Sequence, residues 1–163
     1  MVELFKAGDI MIVQGKKGPI NIELKYFEDD RYYRAEAISE SGQVMGYVTF
    51  KQHTDNPRTM WLQKIETHKE FQGLGVGDAL LSVMEYTTLQ SRKTSIDGKF
   101  YPDNEFAKPF YEHRGYDITK DGYETYVGKY LNDKQKKRIT EEIAPTISGY
   151  SITEVTKEEE SQM

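Results

Sequence analysis

Residues 72 to 78 read Gln72-Gly73-Leu74-Gly75-Val76-Gly77-Asp78, and a helix-forming run from Ala79 to Tyr86 follows at once. Glycine loses more freedom on folding than any other residue, so three of them alternating at a helix start need a reason. Anion binding is one. Free N–H groups point outward there, the helix dipole favours negative charge, and missing side chains let a phosphate come close. A glycine turn that only joins a strand to a helix would look the same. Two phosphate motifs are excluded. A GxGxxG fingerprint begun at Gly73 needs glycine where Asp78 stands, and one begun at Gly75 needs it at Leu80. A P-loop needs Gly-Lys-Ser/Thr, which the chain lacks.

Other side chains that could do chemistry are few. The chain has no cysteine, which removes disulfides, thiolate metal sites and a cysteine nucleophile. Its histidines, His53, His68 and His113, show no ligand spacing, so no metal is expected. Glu66 and Asp97 fall on predicted strands and can accept a proton, directly or through water, although each also reads as a solvated strand residue. Histidine as a residue type titrates near neutral pH, but His68 falls in a predicted turn and His113 on a polar helix face. The run "KQKKR" at 134–138 reads as a solvated helix face, opposed by Glu141, Glu142 and an acidic tail.

The elements that must carry these residues follow from periodicity. Short alternating or apolar runs separated by turn residues predict an antiparallel meander over residues 9 to 67 with little helix. At Gly77 the period changes. Val76, Leu80, Val83, Met84 and Thr87 recur at helical spacing, which predicts an amphipathic helix over 77–91. "KTSIDGKF" follows as a strand, and "PFYEHR" as a short helix, with Pro109 in its first turn and Gly115 just past its end. Residues 122 to 131 read as a final strand. Tyr32 and Tyr33 are adjacent on a strand and must face opposite sides. Beyond residue 131 the chain turns polar. A helix-like "NDKQKKRITEEIA" ends at Pro145, "YSITEV" reads as a weak added strand, and "TKEEESQM" as a disordered acidic end. The division is therefore a domain over 1–131 and an extension over 132–163.

The 163 residues suffice for one domain with a buried core. A formal net charge of −5 argues against a dedicated nucleic-acid binder. No run reaches the length of a membrane span, and the first residues, with Glu3 and Asp9, lack a signal-peptide core. Membrane partners are not expected, and the protein reads as cytoplasmic.

The glycine stretch resembles the acyl-CoA-binding motif of the GNAT superfamily (GCN5-related N-acetyltransferases), Gln/Arg-x-x-Gly-x-Gly/Ala. Gln72, Gly75 and Gly77 fill it, preceded by "IETHKEF" as the strand and turn that lead in. Lys69 stands where the family often has proline. Downstream, "NEFAKPFYEHRGY" resembles the family's Asn-x-x-Ala-x-x-Phe-Tyr-x-x-x-Gly-Phe, matched by Asn104, Ala107, Phe110, Tyr111 and Gly115, with Tyr116 in place of phenylalanine. Two motifs in the right order are more specific than either alone. The resemblance covers residues 42 to 130. It implies an α+β fold with a mixed, mostly antiparallel sheet and helices after the glycine loop and after Asn104.

By the same resemblance, acetyl-CoA is the cofactor. The amides of Gly73, Leu74, Gly75, Val76, Gly77 and Asp78 would cradle its pyrophosphate, Gln72 belongs to that motif, and the backbone of Ile65, Glu66 and Thr67 would pair with the pantetheine arm. Asn104 would contact the cofactor or hold the loop near it. Tyr111 would be the general acid that protonates the departing sulfur, since a phenol with a reference pKa of about 10 keeps its proton at neutral pH. By residue type alone Tyr111 is one of 12 tyrosines and reads as core. Glu66 is the leading base, with Asp97, His68, His113 or a tethered water as alternatives. Lacking cysteine, the chain would use direct transfer to a primary amine in a ternary complex. The alternative is a GNAT-like module that holds acyl-CoA or a protein partner and transfers nothing. A third reading, action on aminoacyl-tRNA, runs against the net charge. The helices that form much of the family's acceptor site are not visible between the first strands. The extension can fill that space, cover a sheet edge, or exchange between protomers in a homodimer.

Overall fold

A computed structural model describes residues 10–101 and 106–156. Alternation of apolar and polar residues builds the N-terminal meander. Strand β1 (Ile10–Gly15) turns at Lys16-Lys17 into β2 (Gly18–Phe27). β2 returns through residues 28–31 to β3 (Tyr32–Ile38), and β4 (Val44–Gln52) and β5 (Thr59–Thr67) complete the run, each antiparallel to the last. Met11, Val13, Ile20, Ile22, Leu24, Val48, Phe50, Met60 and Leu62 are buried together on one face. Tyr33 stacks on Phe50 while Tyr32 stacks on Phe27, so the adjacent pair divides between faces as alternation requires.

Helix α1 (Val76–Gln90) lies on the apolar face. It leads into β6 (Ser95–Phe100), which joins the sheet parallel to β5. Helix α2 (Ala107–His113) follows, and then a hairpin of β7 (Asp117–Asp121) and β8 (Glu124–Tyr130). The single final strand read from residues 122 to 131 is thus the second arm of a hairpin. Gly122, at φ 64, sits in the turn, and β7 was hidden because Ile118 is its lone apolar residue. The strand order is β7-β8-β6-β5-β4-β3-β2-β1, with the short β9 (Ile147–Ser148) beyond β1. This is the α+β, mostly antiparallel arrangement expected, with helices where expected. Residues 28–31 form a tight turn, and among the described residues no α-helix precedes α1.

The C-terminal residues pack back onto this body. Helix α3 (Asp133–Arg138), capped by the Asn132 side chain, continues as a π-turn over Ile139–Ile143 and a 3-10 turn through Pro145. Leu131, Ile139 and Ile143 are buried against Tyr86 and Leu89 of α1. Strand β9 (Ile147–Ser148) pairs with β1, and β10 (Thr153–Val155) runs parallel to the end of β2. The tail from residue 157, read as disordered, lies outside the described residues.

This covering changes α1. The sequence predicts one stripe of Val76, Leu80, Val83, Met84 and Thr87, yet Ser82, Glu85 and Thr88 are buried as well. Thr87 and Thr88 satisfy their hydroxyls on the carbonyls of Val83 and Met84. Glu85 has no exposed surface. Its carboxylate accepts from Arg114 Nη2 at 3.2 Å, Tyr116 OH at 2.7 Å and Lys129 Nζ at 3.0 Å. Lys129 also donates to the Arg114 carbonyl at 2.7 Å. Burial pulls the Lys129 ammonium below its ordinary range, partly opposed by Glu85, and pushes the Tyr116 phenol well up. Removing one member of such a set strands the others without water. Glu85→Ala is expected to cost about 3–5 kcal/mol in urea unfolding. A loss below about 1 kcal/mol, the size of an exposed pair, would contradict this account.

Candidate active site

The site begins where two strands part. β5 and β6 are paired from Thr59/Ser95 to Leu62/Gly98 and no further, although β5 runs on to Thr67 and β6 to Phe100. The cause lies on the other side of β5. Phe50 pairs with Leu62 but Thr49 pairs with Lys64, so Gln63 is an extra residue and β5 bulges there. A bulge bends its strand and increases the local twist, which turns the end of β5 away from β6. Among the described residues, the edge of Ile65, Glu66 and Thr67 that faces β6 has no strand beside it, while the opposite edge pairs with Val48, Tyr47 and Gly46. An extended chain could bond there as an added strand would.

Directly after β5 come His68, a 3-10 turn over Lys69–Phe71, and the glycine loop. The three glycines do different work. Gly73 and Gly75 have φ of 83° and 84°, a left-handed conformation that glycine adopts without strain, and a Cβ on either would meet open space. Gly77 has no such φ. A Cβ there would lie 3.1 Å from the ring of Phe110 and 3.8 Å from Thr67 Oγ1. Two glycines therefore shape the loop and leave it open, and the third lets α2 approach the helix start. Gly46 acts similarly on β4, where a Cβ would meet Val76 at 3.1 Å and the Glu66 carbonyl at 2.6 Å. The first bond into α1 runs from Ala79 N to Gly75 O, so the amides of Val76, Gly77 and Asp78 have no partner within the helix. Gln72 Nε2 lies 3.5 Å from the Thr67 carbonyl, at the end of the free edge. Leu74 is exposed and Val76 buried.

Tyr111 lies on α2 beside this loop. Its ring meets Phe110 at 5.4 Å and Phe100, the last residue of β6, at 5.6 Å. It belongs to the same buried cluster as α1, and burial pushes its phenol up to about 12. Glu66 is exposed and sits on the other face, since Val48 and its partner Ile65 share the α1 face and side chains alternate along β5. Register aligns Glu23, Glu36, Tyr47 and Glu66 across that face, with Lys25, Arg34, Thr49 and Lys64 as the next row, buried at Glu23 and Lys25 and exposed at Glu66 and Lys64. The rows compensate each other through Lys25–Glu23 (3.1 Å), Lys25–Glu36 (3.7 Å) and Arg34–Glu36 (3.0 Å), and Arg34 stacks 4.1 Å over the Tyr47 ring. Lys64 is held up by its hydrogen bond to Tyr47.

Among the other candidates, Asp97 Oδ1 would lie 2.8 Å from a Cβ on Gly128, so its carboxylate folds toward β8. His113 is exposed on α2. Asn104 lies outside the described residues. The structure thus places the loop of 72–78 directly after the edge of residues 65–67, with Phe110 against Gly77, Tyr111 next to it on α2, and the Glu66 side chain on the opposite face. Sequence reading did not show that Gly77 is also closed upon by Phe110, and it missed Arg114. That guanidinium stands two residues from Glu112 in chain order, yet touches Glu85 and lies 3.9 Å from Asp78 in the loop's helix turn. Its only sequence signal was a cation next to the Gly115 helix stop.

The sequence model of the acetyltransferase (GNAT) family matches residues 11–116. None of the curated proteins matches the chain. Solved structures do. The PaiA N-acetyltransferase of Thermoplasma acidophilum, in complex with coenzyme A, superposes with a TM-score of 0.56 at 15% identity, over 63% of this chain and 64% of that one. Nourseothricin acetyltransferase gives 0.57 at 19% identity over 76% and 85%. Ard1 of Thermoplasma volcanium gives 0.53 at 18% identity over 64% and 73%. The chain thus spans slightly under two thirds of the first of these.

The division among the glycines is testable by calorimetric or urea unfolding. Gly77→Ala should cost about 1–3 kcal/mol, since the Phe110 ring must move. Gly73→Ala should cost about 1–2 kcal/mol through backbone strain alone and leave Phe110 in place. Aromatic proton shifts of Phe110 that move in both variants, or in neither, would contradict it.

Proposed function

We propose, for a chain that belongs to the acetyltransferase (GNAT) family, that it transfers an acetyl group from acetyl-CoA to a primary amine, directly and within a ternary complex. The observation that carries this is the parting of β5 from β6 after Leu62 and Gly98, with an open glycine loop at one end and a buried phenol beside it. Residues of the cleft fit the cofactor. Open space at Gly73 and Gly75, and the amides of residues 76–78, which have no partner within the helix, suit a pyrophosphate. The free edge at Ile65, Glu66 and Thr67 offers the hydrogen-bonding groups that a pantetheine amide chain needs. Gln72 would brace the junction of edge and loop, and Asn104 is retained as a cofactor contact on the resemblance of its motif.

Acetyl-CoA supplies an acyl group activated as a thioester. The chain's own part is orientation and proton handling. Tyr111, buried and holding its proton to about pH 12, donates to a leaving thiolate on the α1 side of the sheet. Glu66, exposed on the opposite face, takes the proton that the amine nitrogen gives up as it bonds to the carbonyl carbon, directly or through water. Donor and acceptor thus act from opposite sides of one gap, and the acceptor amine arrives over the face that no helix between β2 and β3 covers. The non-catalytic reading differs in one respect: it needs the loop and the edge but gives Tyr111 no proton to deliver.

Tyr111→Phe should lower kcat by about 10²–10⁴-fold while Kd for acetyl-CoA stays within about 3-fold. Free thiol released from acetyl-CoA with a panel of amines reads the first, and calorimetry the second. Unchanged kcat would remove Tyr111 from the chemistry. The pH profile gives a second check. A pKa raised by burial means the folded chain holds the proton longer than the unfolded one. Tyr111 therefore leaves stability unchanged below about pH 10 and lowers it between about 10 and 12. Its kcat should show no alkaline fall due to Tyr111 below about pH 9. A limb there that vanishes in Tyr111→Phe would contradict the burial.

A further inference from the structure

The glycine loop is poorly supplied with positive charge by its own sequence. Between His68 and Asp78 stand one lysine, Lys69, and two carboxylates, Glu70 and Asp78. A helix N-terminus contributes only about half a unit of positive charge. Arg114, a half-buried cation 3.9 Å from Asp78, is committed to Glu85 at 3.2 Å. The whole chain carries −5. A ligand with several phosphate charges therefore needs a cation from elsewhere in the fold.

The topology delivers one. Because β1 to β5 alternate in direction, the C-terminal ends of β1, β3 and β5 lie at the same edge of the sheet. The β1–β2 turn, Lys16-Lys17, is therefore on the edge from which the glycine loop departs. Lys17 crosses to it, and its Nζ donates to the Gly73 carbonyl at 2.6 Å. Both the lysine and the loop are exposed, 56 residues apart in sequence. An ammonium has three N–H donors, and this contact uses one. The other two, and the full charge, remain beside the loop whose amides are open.

We propose that Lys17 is a phosphate-binding residue of the acyl-CoA site, held in place by the Gly73 carbonyl. The β1–β2 hairpin is thereby part of the cofactor site, and not only the sheet edge it forms in the fold. The inference rests on the acyl-CoA reading above and extends it to a residue outside both sequence motifs. Anchoring on the carbonyl reduces the side-chain freedom that a surface lysine otherwise loses on binding. The interaction is exposed, so its contribution depends on salt.

Titration calorimetry with acetyl-CoA on the wild type, Lys17→Met and Lys16→Met tests this. At about 50 mM salt, where the Debye length exceeds 10 Å, Lys17→Met should bind about 5- to 10-fold more weakly. The gap should narrow as salt is raised to about 500 mM. Lys16→Met, which removes a charge from the same turn, should change Kd by less than about 2-fold, on the pattern of peripheral surface charges. Equal affinities of wild type and Lys17→Met would overturn the proposal, as would a gap that does not depend on salt, which would mark Lys17 as a brace for the loop. A wild type that binds no acetyl-CoA would overturn the acyl-CoA reading itself, and this proposal with it.

Discussion

Glu85 is a carboxylate placed in the middle of a helix with no water to solvate it, and the arrangement of the site follows from how it is satisfied. Burying such a group is costly unless it is paired and hydrogen-bonded on all sides. Its partners come from three places: Arg114 at the end of α2, Tyr116 just before β7, and Lys129 on β8. Each can reach Glu85 only when its own element is docked on α1. Lys129 then closes the set by bonding the Arg114 carbonyl. The chain between Tyr111 and Tyr116 is consequently fixed against α1 at one end of α2, while Phe110 is fixed against Gly77 at the loop. Tyr111 lies between those two anchors. Its position relative to the glycine loop is set with a charge network that reaches that loop through Arg114 and Asp78.

The sheet contributes the second constraint, a bulge of one residue. β5 bulges at the extra Gln63, and its pairing with β6 stops at Leu62 and Gly98. The backbone edge at 65–67 is then available to a ligand while β5 remains locked to β4. The two faces at this end of β5 differ. One side carries α1, α2 and a phenol that retains its proton; the other carries Glu66 and the compensated rows of charge. A transfer reaction needs a proton removed from one partner and given to the other, and an opening with different chemistry on its two faces keeps those tasks apart.

Much of this was legible in the sequence, and what was not has a physical reason. Alternation along Ile20, Ile22 and Leu24 and the change of period at Gly77 report local conformation, so the meander and α1 were readable. The cluster "QGLGVGD" and the spacing from Asn104 to Gly115 marked the loop and α2. Periodicity does not report what covers an element's second face. Glu85 and Thr88 fall outside the stripe of α1 read from the sequence, yet both are buried, Glu85 by the end of α2. The division of labour among the glycines was hidden because φ and close approach both select glycine, and only the contact of Gly77 with Phe110 separates them. The contact between Lys17 and Gly73 spans 56 residues and depends on the alternating directions of five strands. No local pattern carries it.

The claim on which the account rests is that acyl-CoA occupies the edge of β5 and the glycine loop together. Titrating ¹⁵N-labelled protein with acetyl-CoA, and following the amide resonances, tests it most directly. The account predicts that the largest shifts fall in both segments at once, at residues 65–67 and at 73–78. Shifts confined elsewhere, or a spectrum that does not change at saturating ligand, would contradict it.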